Sequence, residues 1–461
     1  LSSTGLENLQ PKLGMGTLTT CGVLVPNDPE LKKELTVRAV ENAVGIRPPS
    51  FKVWRPHANQ ILVPRYFALG KFGRPTSSTV VEPVRADIRF TGNLRTETHQ
   101  DKAFAAGTKA FAETGGGVLT LPPGYGKTAM ALAFAGHLKF RTLIVVHKEF
   151  LANQWRDRIK TFCPGATIGR IQQDIFDVEK DFVIAMIQTM CMRELGSLTQ
   201  FGFLIVDEAH HIGAAAFSQS MLKVCPKYTL GLTATPERKD GLTRVLYWFM
   251  GPEFYAVQRE NQKTTQVETI FYDDPLFKEG PPLTRFGKLN MAGMITQVSE
   301  LNSRNELIID IINNCLGDNR RTLILSDRRE HCNWICSQFK TEISGLYVGG
   351  MTEAALDETA KKKVIVATYA MAQEGLDIPV LDTVILATPH SDVTQAIGRI
   401  MRETAGKTNS PLIYDIADRW SVFYSMYQKR TKIYHAGGFK FRNKIESEEP
   451  DPVQKGKCMF L

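Results

Sequence analysis

No run of this 461-residue chain approaches 18 consecutive apolar residues, and no basic-then-apolar pattern opens it, so neither a membrane span nor secretion is indicated. Cysteine is sparse. Its eight positions (21, 163, 191, 225, 315, 332, 336 and 458) are scattered, and the close pair Cys332 and Cys336 lacks a second pair at zinc-site spacing; a reducing compartment is the simplest reading. Low-complexity tracts and an evident internal repeat are also wanting, which sets aside disordered tracts and solenoids. Acid is the minority charge, with 48 Asp and Glu against 56 Lys and Arg, a net charge of +8. Residues 1–93 hold 12 Lys/Arg against 7 Asp/Glu, so +5 of that charge sits there; a polyanionic partner is permitted, not proved. The first residue is Leu rather than Met, so the chain is expected to be a fragment or a processed form from which an N-terminal address could be missing.

What is present is the composition of a globular protein, 43% apolar and 23% charged, long enough for two or three domains at about 150 residues each. From about residue 115, short apolar runs alternate with helical stretches. "VLTL" (118–121), "TLIVV" (142–146), "FVIAMI" (182–187), "FLIVD" (203–207) and "TLGLTAT" (229–235) read as buried parallel strands, and "TAMALAFAGHL" between the first two as a helix. A second set follows the Pro/Gly stretch "EGPPLTRFG": "TLILS" (322–326), "LYV" (346–348), "VIVAT" (364–368), "TVILAT" (383–388) and "LIYDI" (412–416). The expected fold is α/β, with two parallel-sheet lobes in tandem. Residues 1–93 are expected to form a small, separate α+β or β module, with a hairpin made by "SFKVWR" and "ILVPRYF" around "PHANQ".

After the first strand comes "PPGYGKT" (122–128), comprising Pro123, Gly124, Tyr125, Gly126, Lys127 and Thr128. The two glycines let backbone N–H groups turn toward a phosphate, Lys127 adds a point charge and Thr128 a hydroxyl for Mg²⁺. The full phosphate-loop pattern is missed by one residue, Leu121 standing where Gly is usual. At the end of "FLIVD" stands "DEAHH" (207–211), a carboxylate expected at the carboxyl end of a strand beside the phosphate-loop strand. Asp207 is expected to hold Mg²⁺ and Glu208 to orient the attacking water. An acidic helix start accounts for one such carboxylate, not for two directly after an apolar strand. His210 reads as a relay between lobes and His211 as structural. In "QAIGRIMR" (395–402), Arg399 and Arg402 leave one face of an apparent helix, which alone would be a solvated basic face.

Gln100, "PPGYGKT", "DEAH", "GLTATPERKDG" (231–241), "ATYAMAQEGLDIP" (367–379) and "QAIGRIMR" stand in the order, and near the spacing, of a superfamily-two helicase, which the chain resembles over about residues 94–405. The branch that includes XPB and the phage UvsW helicase looks closest. The combination "EGLDIP…LDTVILATPHSDVTQAIGRIMR" resembles the poxvirus-type transcript-release helicases and their relatives in large DNA viruses. The resemblance implies two RecA-like lobes, with an accessory segment at 1–93, an ATP-binding lobe at 94–258, a linker at 259–298, a C-terminal lobe at 299–435 and a flexible tail at 436–461. It implies ATP and Mg²⁺ as cofactors, with Arg399 and Arg402 reaching the γ-phosphate and Gln395 opening their motif. By the same resemblance Gln100 reads adenine, Thr233 and Thr235 couple the ATP site to the second lobe, and Gly375 and Asp377 contact ribose and phosphate. His147, Lys148, Gln188, Thr189 and Thr368 are expected to hold a sugar-phosphate backbone.

Trp420, Phe423, Tyr424 and Tyr427, at i, i+3, i+4 and i+7, suit a buried stripe better than base stacking. Lys52, Trp54, Arg55, Arg65, Tyr66, Lys71 and Arg74 mix basic and aromatic character and are equally suited to binding a duplex or to none. The expected activity is that of an ATP-dependent DNA helicase or duplex translocase. "TAT" and "QAIGR" stand where RNA helicases of the DEAD-box type have "SAT" and "HRIGR", which favours DNA over RNA or an RNA–DNA hybrid. A restriction-enzyme motor subunit is the other rival, and no paired-carboxylate nuclease cluster stands out beyond the motor lobes. The partners expected are single-stranded, duplex or forked DNA and transcription or replication machinery, but no membrane. The chain is expected to be a monomer in isolation, in the cytoplasm or nucleus, or in a virion if viral.

Overall fold

The computed structural model describes residues 14–40, 48–122, 124–193, 198–234, 236–238, 240–257, 265–374, 376, 378–401, 407 and 409–442. It divides into two compact units, Leu1–Gln258 and Arg259–Leu461. Each is built on a sheet whose central strands are buried on both faces, the architecture that uninterrupted β-branched runs demand.

In the first unit an eight-stranded sheet runs in the order Ile175–Asp177, Ile168–Gln172, Phe182–Met186, Thr142–Val146, Phe203–Val206, Tyr228–Thr233, Gly116–Thr120 and Glu253–Ala256. All neighbours are parallel except the first pair. Side chains alternate between two cores: Leu143 and Val145 join one apolar cluster, Ile144 and Val146 the other. Each fully buried side chain of this size contributes roughly 1.5–3 kcal/mol. The helix Lys127–Leu138 is buried along Met130–Ala135, as its run of alanines allows. One expectation is corrected here. The strand preceding Asp207 is not beside the phosphate-loop strand, because Tyr228–Thr233 lies between them.

The N-terminal hairpin forms between Arg55–His57 and Gln60–Val63, within a five-stranded sheet that continues through Gly22–Pro26, Thr17–Thr19 and Ser77–Ser78. Its second strand stops earlier than "ILVPRYF" suggests. Pro64 ends it, and Arg65–Phe72 is a helix. Phe51–Lys52 pairs instead with Thr36–Val37. This region has a core of its own around Val23, Val25, Ile61 and Phe67, and it also docks on the lobe, since Val37, Val53 and Leu62 share one core with Leu204, Val206 and Phe217. Of the basic and aromatic cluster, Arg55, Arg65 and Tyr66 serve that docking, while Lys71 pairs within the N-terminal region. Arg65 donates to the carbonyls of Pro226 (3.2 Å) and Lys227 (2.9 Å), the Tyr66 hydroxyl meets Thr229 Oγ1 at 2.8 Å, Arg55 donates to the Gln219 carbonyl at 2.6 Å, and Lys71 pairs with Glu34.

The second unit holds a seven-stranded, wholly parallel sheet ordered Ser344–Tyr347, Val364–Thr368, Thr322–Ser326, Thr383–Leu386, Leu412–Asp418, Gln266–Tyr272 and Lys440–Phe441. Gln266–Tyr272 falls in the stretch expected to be a linker, yet it pairs along its whole length with Leu412–Asp418. Lys440–Phe441, expected in a flexible tail, pairs with its start; residues 443–461 lie outside the described residues. The aromatic stripe is core: Trp420, Phe423 and Tyr427 are buried, and Tyr424 is half-buried. Buried ion pairs fasten this unit. Arg304 grips Asp418 at 2.7 and 2.9 Å, and Arg430 grips Asp415 at 2.7 Å with the Tyr434 hydroxyl donating at 2.6 Å. No helix among the described residues is long and apolar enough to cross a membrane.

Candidate active site

The loop after Gly116–Thr120 turns through Gly124 at φ +88° and Gly126 at φ +80°, both in the left-handed region that a side chain disfavours. Gly126 caps the helix that begins at Lys127, so Lys127 and Thr128 occupy its first turn with half-buried side chains. A methyl group at Gly126 would lie 2.4 Å from Gln100 Nε2. Gln100 is itself buried, accepting from Arg95 N (2.9 Å) and donating to the Tyr125 carbonyl (3.0 Å). One end of its amide therefore braces the loop and the other holds Arg95, and each end keeps one further donor or acceptor site that could meet adenine. Pro123 lies outside the described residues.

Across the Tyr228–Thr233 strand, the Lys127 ammonium stands 4.0 Å from Glu208 Oε1. Glu208 adopts φ +47°, an uncommon conformation for a non-glycine residue, and so turns sharply out of its strand. Asp207 is buried, and its carboxyl is held above its usual range first by burial and then by the neighbouring Glu208 charge. Trp155 Nε1 donates to Asp207 Oδ2 at 2.8 Å and, with Lys127, offsets part of that cost. Two crowded carboxylates beside a glycine cradle and a lysine make a donor set that fits a divalent cation with a phosphate chain.

His210 Nδ1 lies 3.2 Å from the buried Thr233 Oγ1 and 3.5 Å from Glu208 Oε2. Arg238 donates to the His210 carbonyl and pairs with Asp240. The rings of His147 and His210 flank His211, with centroids 4.5 and 4.3 Å away. Burial, followed by those two rings, lowers the His211 pKa to about 3, and burial also lowers His147 and His210. Gln188 Nε2 donates to the His147 carbonyl at 2.7 Å, and Thr189 Oγ1 accepts from Gln173 N at 3.0 Å. Lys148 is the N-cap of the helix Glu149–Phe162. These four positions gather at the strand ends of the first unit, with the carboxylates.

In the second unit Thr368 closes its strand opposite Ser326. Gln395 and Arg399 stand half-buried on the short helix Thr394–Ile400, and Arg399 Nε donates to the Ala372 carbonyl at 3.1 Å. That helix ends before Arg402, so its shared face with Arg399 lies outside the described residues, as do Thr235, Gly375 and Asp377. The sequence reading did not pick out Trp155 or Arg238. Trp155 sits at an apolar position of an amphipathic helix, which signals only burial. Arg238 stands within the quoted "PERKDG", where no feature separates it from the other charges.

Residues 93–238 match the family described as "Type III restriction enzyme, res subunit", and residues 303–404 the "Helicase conserved C-terminal domain". The chain is 33% identical over 407 residues to "Putative ATP-dependent RNA helicase L396" of Acanthamoeba polyphaga mimivirus, covering 84% of this chain and 78% of that relative. It is 29% identical over 349 residues to "Putative helicase 161L" of Invertebrate iridescent virus 6, covering 69% and 76%. Among solved structures, "ATP-dependent Type ISP restriction-modification enzyme LlaBIII bound to DNA" superposes with a TM-score of 0.55 at 18% identity, over 75% of this chain and 30% of that one. At that identity the likeness is one of fold.

Proposed function

This chain belongs to the superfamily-two helicases, nucleic-acid-dependent ATPases with two RecA-like domains, and from that premise we propose that it is an ATP-driven helicase or translocase acting on DNA. The observation that carries the reading is the buried Asp207 followed by the half-buried Glu208 at a strand end, with Lys127 4.0 Å from Glu208 and His210 linking it to Thr233. In this reading the backbone at Gly124–Gly126 and the Lys127 ammonium hold the phosphates, and Glu208 orients the attacking water. Thr128 and Asp207 would hold Mg²⁺, which when bound would supply positive charge to the phosphates. Arg399 and Arg402, with Gln395 beside them, act on the γ-phosphate, because a planar guanidinium can bond two phosphate oxygens at once. Gly375 and Asp377 contact the ribose and phosphates. His210, Thr233 and Thr235 pass the state of the phosphates onward, and His147, Lys148, Gln188, Thr189 and Thr368 hold a nucleic-acid backbone without reading its sequence.

"TAT" and "QAIGR" support DNA, and "EGLDIP…LDTVILATPHSDVTQAIGRIMR" supports placement in the XPB and UvsW branch beside the transcript-release helicases of large DNA viruses. Such a motor would serve transcription, replication or repair inside the cell. The printed name of the mimivirus relative favours a second reading, an RNA or RNA–DNA hybrid helicase. ATP hydrolysis measured with single-stranded DNA, duplex DNA and RNA decides between them. DNA is expected to stimulate, and stimulation by RNA alone would transfer the assignment to the second reading. Lys127→Ala is expected to abolish the stimulated rate, and turnover equal to that of the native chain would remove the phosphate-loop assignment. The restriction-subunit family match invites one more control: with Mg²⁺ and ATP, plasmid DNA should stay uncut.

A further inference from the structure

In the second unit, residues 282–290 fold into a tight hairpin that none of the roles above uses. Asn290 N donates to the Pro282 carbonyl at 2.9 Å, Thr284 N to the Lys288 carbonyl at 2.6 Å, and Gly287 N to the Thr284 carbonyl at 2.9 Å. Leu283 and Leu289 form an antiparallel bridge, and Gly287 takes φ +72° at the turn. At the tip Phe286 is 73% exposed, with the Arg285 guanidinium 4.7 Å from its ring centre. Leaving a phenyl ring in water forfeits most of what burying it would contribute. The hairpin is nevertheless firmly rooted. Leu289 packs into a core with Met294, Phe277 and Trp420, and Asn290 caps the helix Met291–Glu300 by accepting from Gly293 N at 2.9 Å.

That helix is tied to the end of the sheet where nucleic acid is expected. Arg328, two residues beyond the strand Thr322–Ser326, donates to Thr296 Oγ1 (2.9 Å) and to the Ala292 carbonyl (2.6 Å). Ser326 is the register partner of Thr368. The root of the hairpin is thus anchored near the strand ends that carry Thr368. Charge along residues 278–289 is mainly positive: Lys278, Arg285 and Lys288 are exposed, against Glu279.

We propose that Phe286 is a stacking post for an unpaired nucleobase, with Arg285 and Lys288 attracting the adjoining phosphates. The assignment rests on the reading of the chain as a nucleic-acid motor. A ring with a cation against it and basic neighbours matches a planar base on a polyanionic strand, since aromatic stacking accepts any base and the cations supply the backbone attraction. An apolar partner protein would gain nothing from the two cations, Arg285 and Lys288, on so small a tip.

The test uses the full chain with Phe286→Ala and Phe286→Trp, and a fluorescein-labelled single-stranded oligonucleotide, as DNA and as RNA, without nucleotide. Phe286→Ala is expected to weaken binding by about 5- to 100-fold and Phe286→Trp to restore it. With a forked duplex and ATP, Phe286→Ala should lose unwinding while the nucleic-acid-stimulated ATPase at saturation stays within about twofold of the native chain, because no residue assigned to the phosphate site belongs to the hairpin. A native chain whose ATPase is stimulated, alongside a Phe286→Ala chain that binds and unwinds like it, overturns the stacking post and leaves the motor reading standing. A native chain with no stimulation by any nucleic acid removes the motor reading instead, and the binding comparison still reports on the tip.

Discussion

At the scale of single residues, partners set the chemistry, and partners distant in sequence are what a sequence hides. Trp155 lies 52 positions from the carboxylate it supports. His331 is a second case. In its buried site Nδ1 faces Ser326 Oγ at 3.0 Å and Nε2 faces Asn305 Oδ1 at 2.9 Å, while Asn305 Nδ2 donates to the Ser299 carbonyl at 2.9 Å. This chain is satisfied by a neutral ring that donates from Nε2 and accepts at Nδ1. Burial first, and then the Arg304 charge, lowers the His331 pKa to about 3. An unfolded histidine titrates near 6.5, so below that pH the unfolded chain takes up a proton that the native one refuses. The stability contributed by the neutral ring is complete above pH 6.5 and is lost as pH falls toward 3, at up to about 1.4 kcal/mol per pH unit. Urea unfolding of the native chain and His331→Gln between pH 6.5 and 4.5 should show a steeper decline for the native chain; parallel declines would mean that His331 is not a source of acid sensitivity.

At the scale of elements, what was legible followed from local pattern. The five-residue runs at 142–146, 322–326 and 364–368 are strands to the residue, because a buried parallel strand needs a continuous apolar run and these have nothing else to do. Lateral order was not legible. Hydropathy says that a strand is buried, not which strands are its neighbours, and so Tyr228–Thr233 was not foreseen between the lysine strand and the carboxylate strand. Gln266–Tyr272 was passed over for a related reason: its alternating polar residues and the Pro/Gly stretch after it look like a connection until Leu412–Asp418 supplies its partner. The glycine turn at 124–126, by contrast, is a local device, and its two glycines both take the positive φ that their spacing suggests. Gly126→Ala tests it as one. The positive φ alone costs roughly 1–2 kcal/mol, and the new methyl group would also press on Gln100 Nε2. Gly165 has a similar φ of +88° with nothing within 4 Å, so Gly165→Ala carries the backbone strain without the loop. Binding of a fluorescent ATP analogue should fall at least tenfold in Gly126→Ala and hold in Gly165→Ala. Equal affinities in the two variants would separate Gly126 from nucleotide binding.

At the scale of the whole molecule, each unit carries part of the proposed machinery. The lysine and both carboxylates lie in the first unit, and Arg399 in the second, on a helix whose buried Ala396 and Ile397 fix its seating. The order of these parts along the chain was legible because order is what a sequence records, and it is the reason the arginines could be assigned a target at all. If Arg399 completes the phosphate site, Arg399→Ala in the full chain should lower nucleic-acid-stimulated hydrolysis by about 10³- to 10⁵-fold while ATP-analogue binding stays near native, since charge on the transferring phosphoryl group develops during reaction and not on binding. A structural role through the Ala372 carbonyl would instead lower thermal stability, and Arg399→Lys, which keeps the charge but not the fork, distinguishes the two by recovering stability without recovering rate. Mixing then asks which chain supplies the arginine. Lys127→Ala and Arg399→Ala chains should each be inactive and, if a single chain assembles the whole site, should remain so together. Recovery on mixing would mean that the lysine of one copy and the arginine of another can meet, and the motor would have to be an oligomer that shares its active site between subunits.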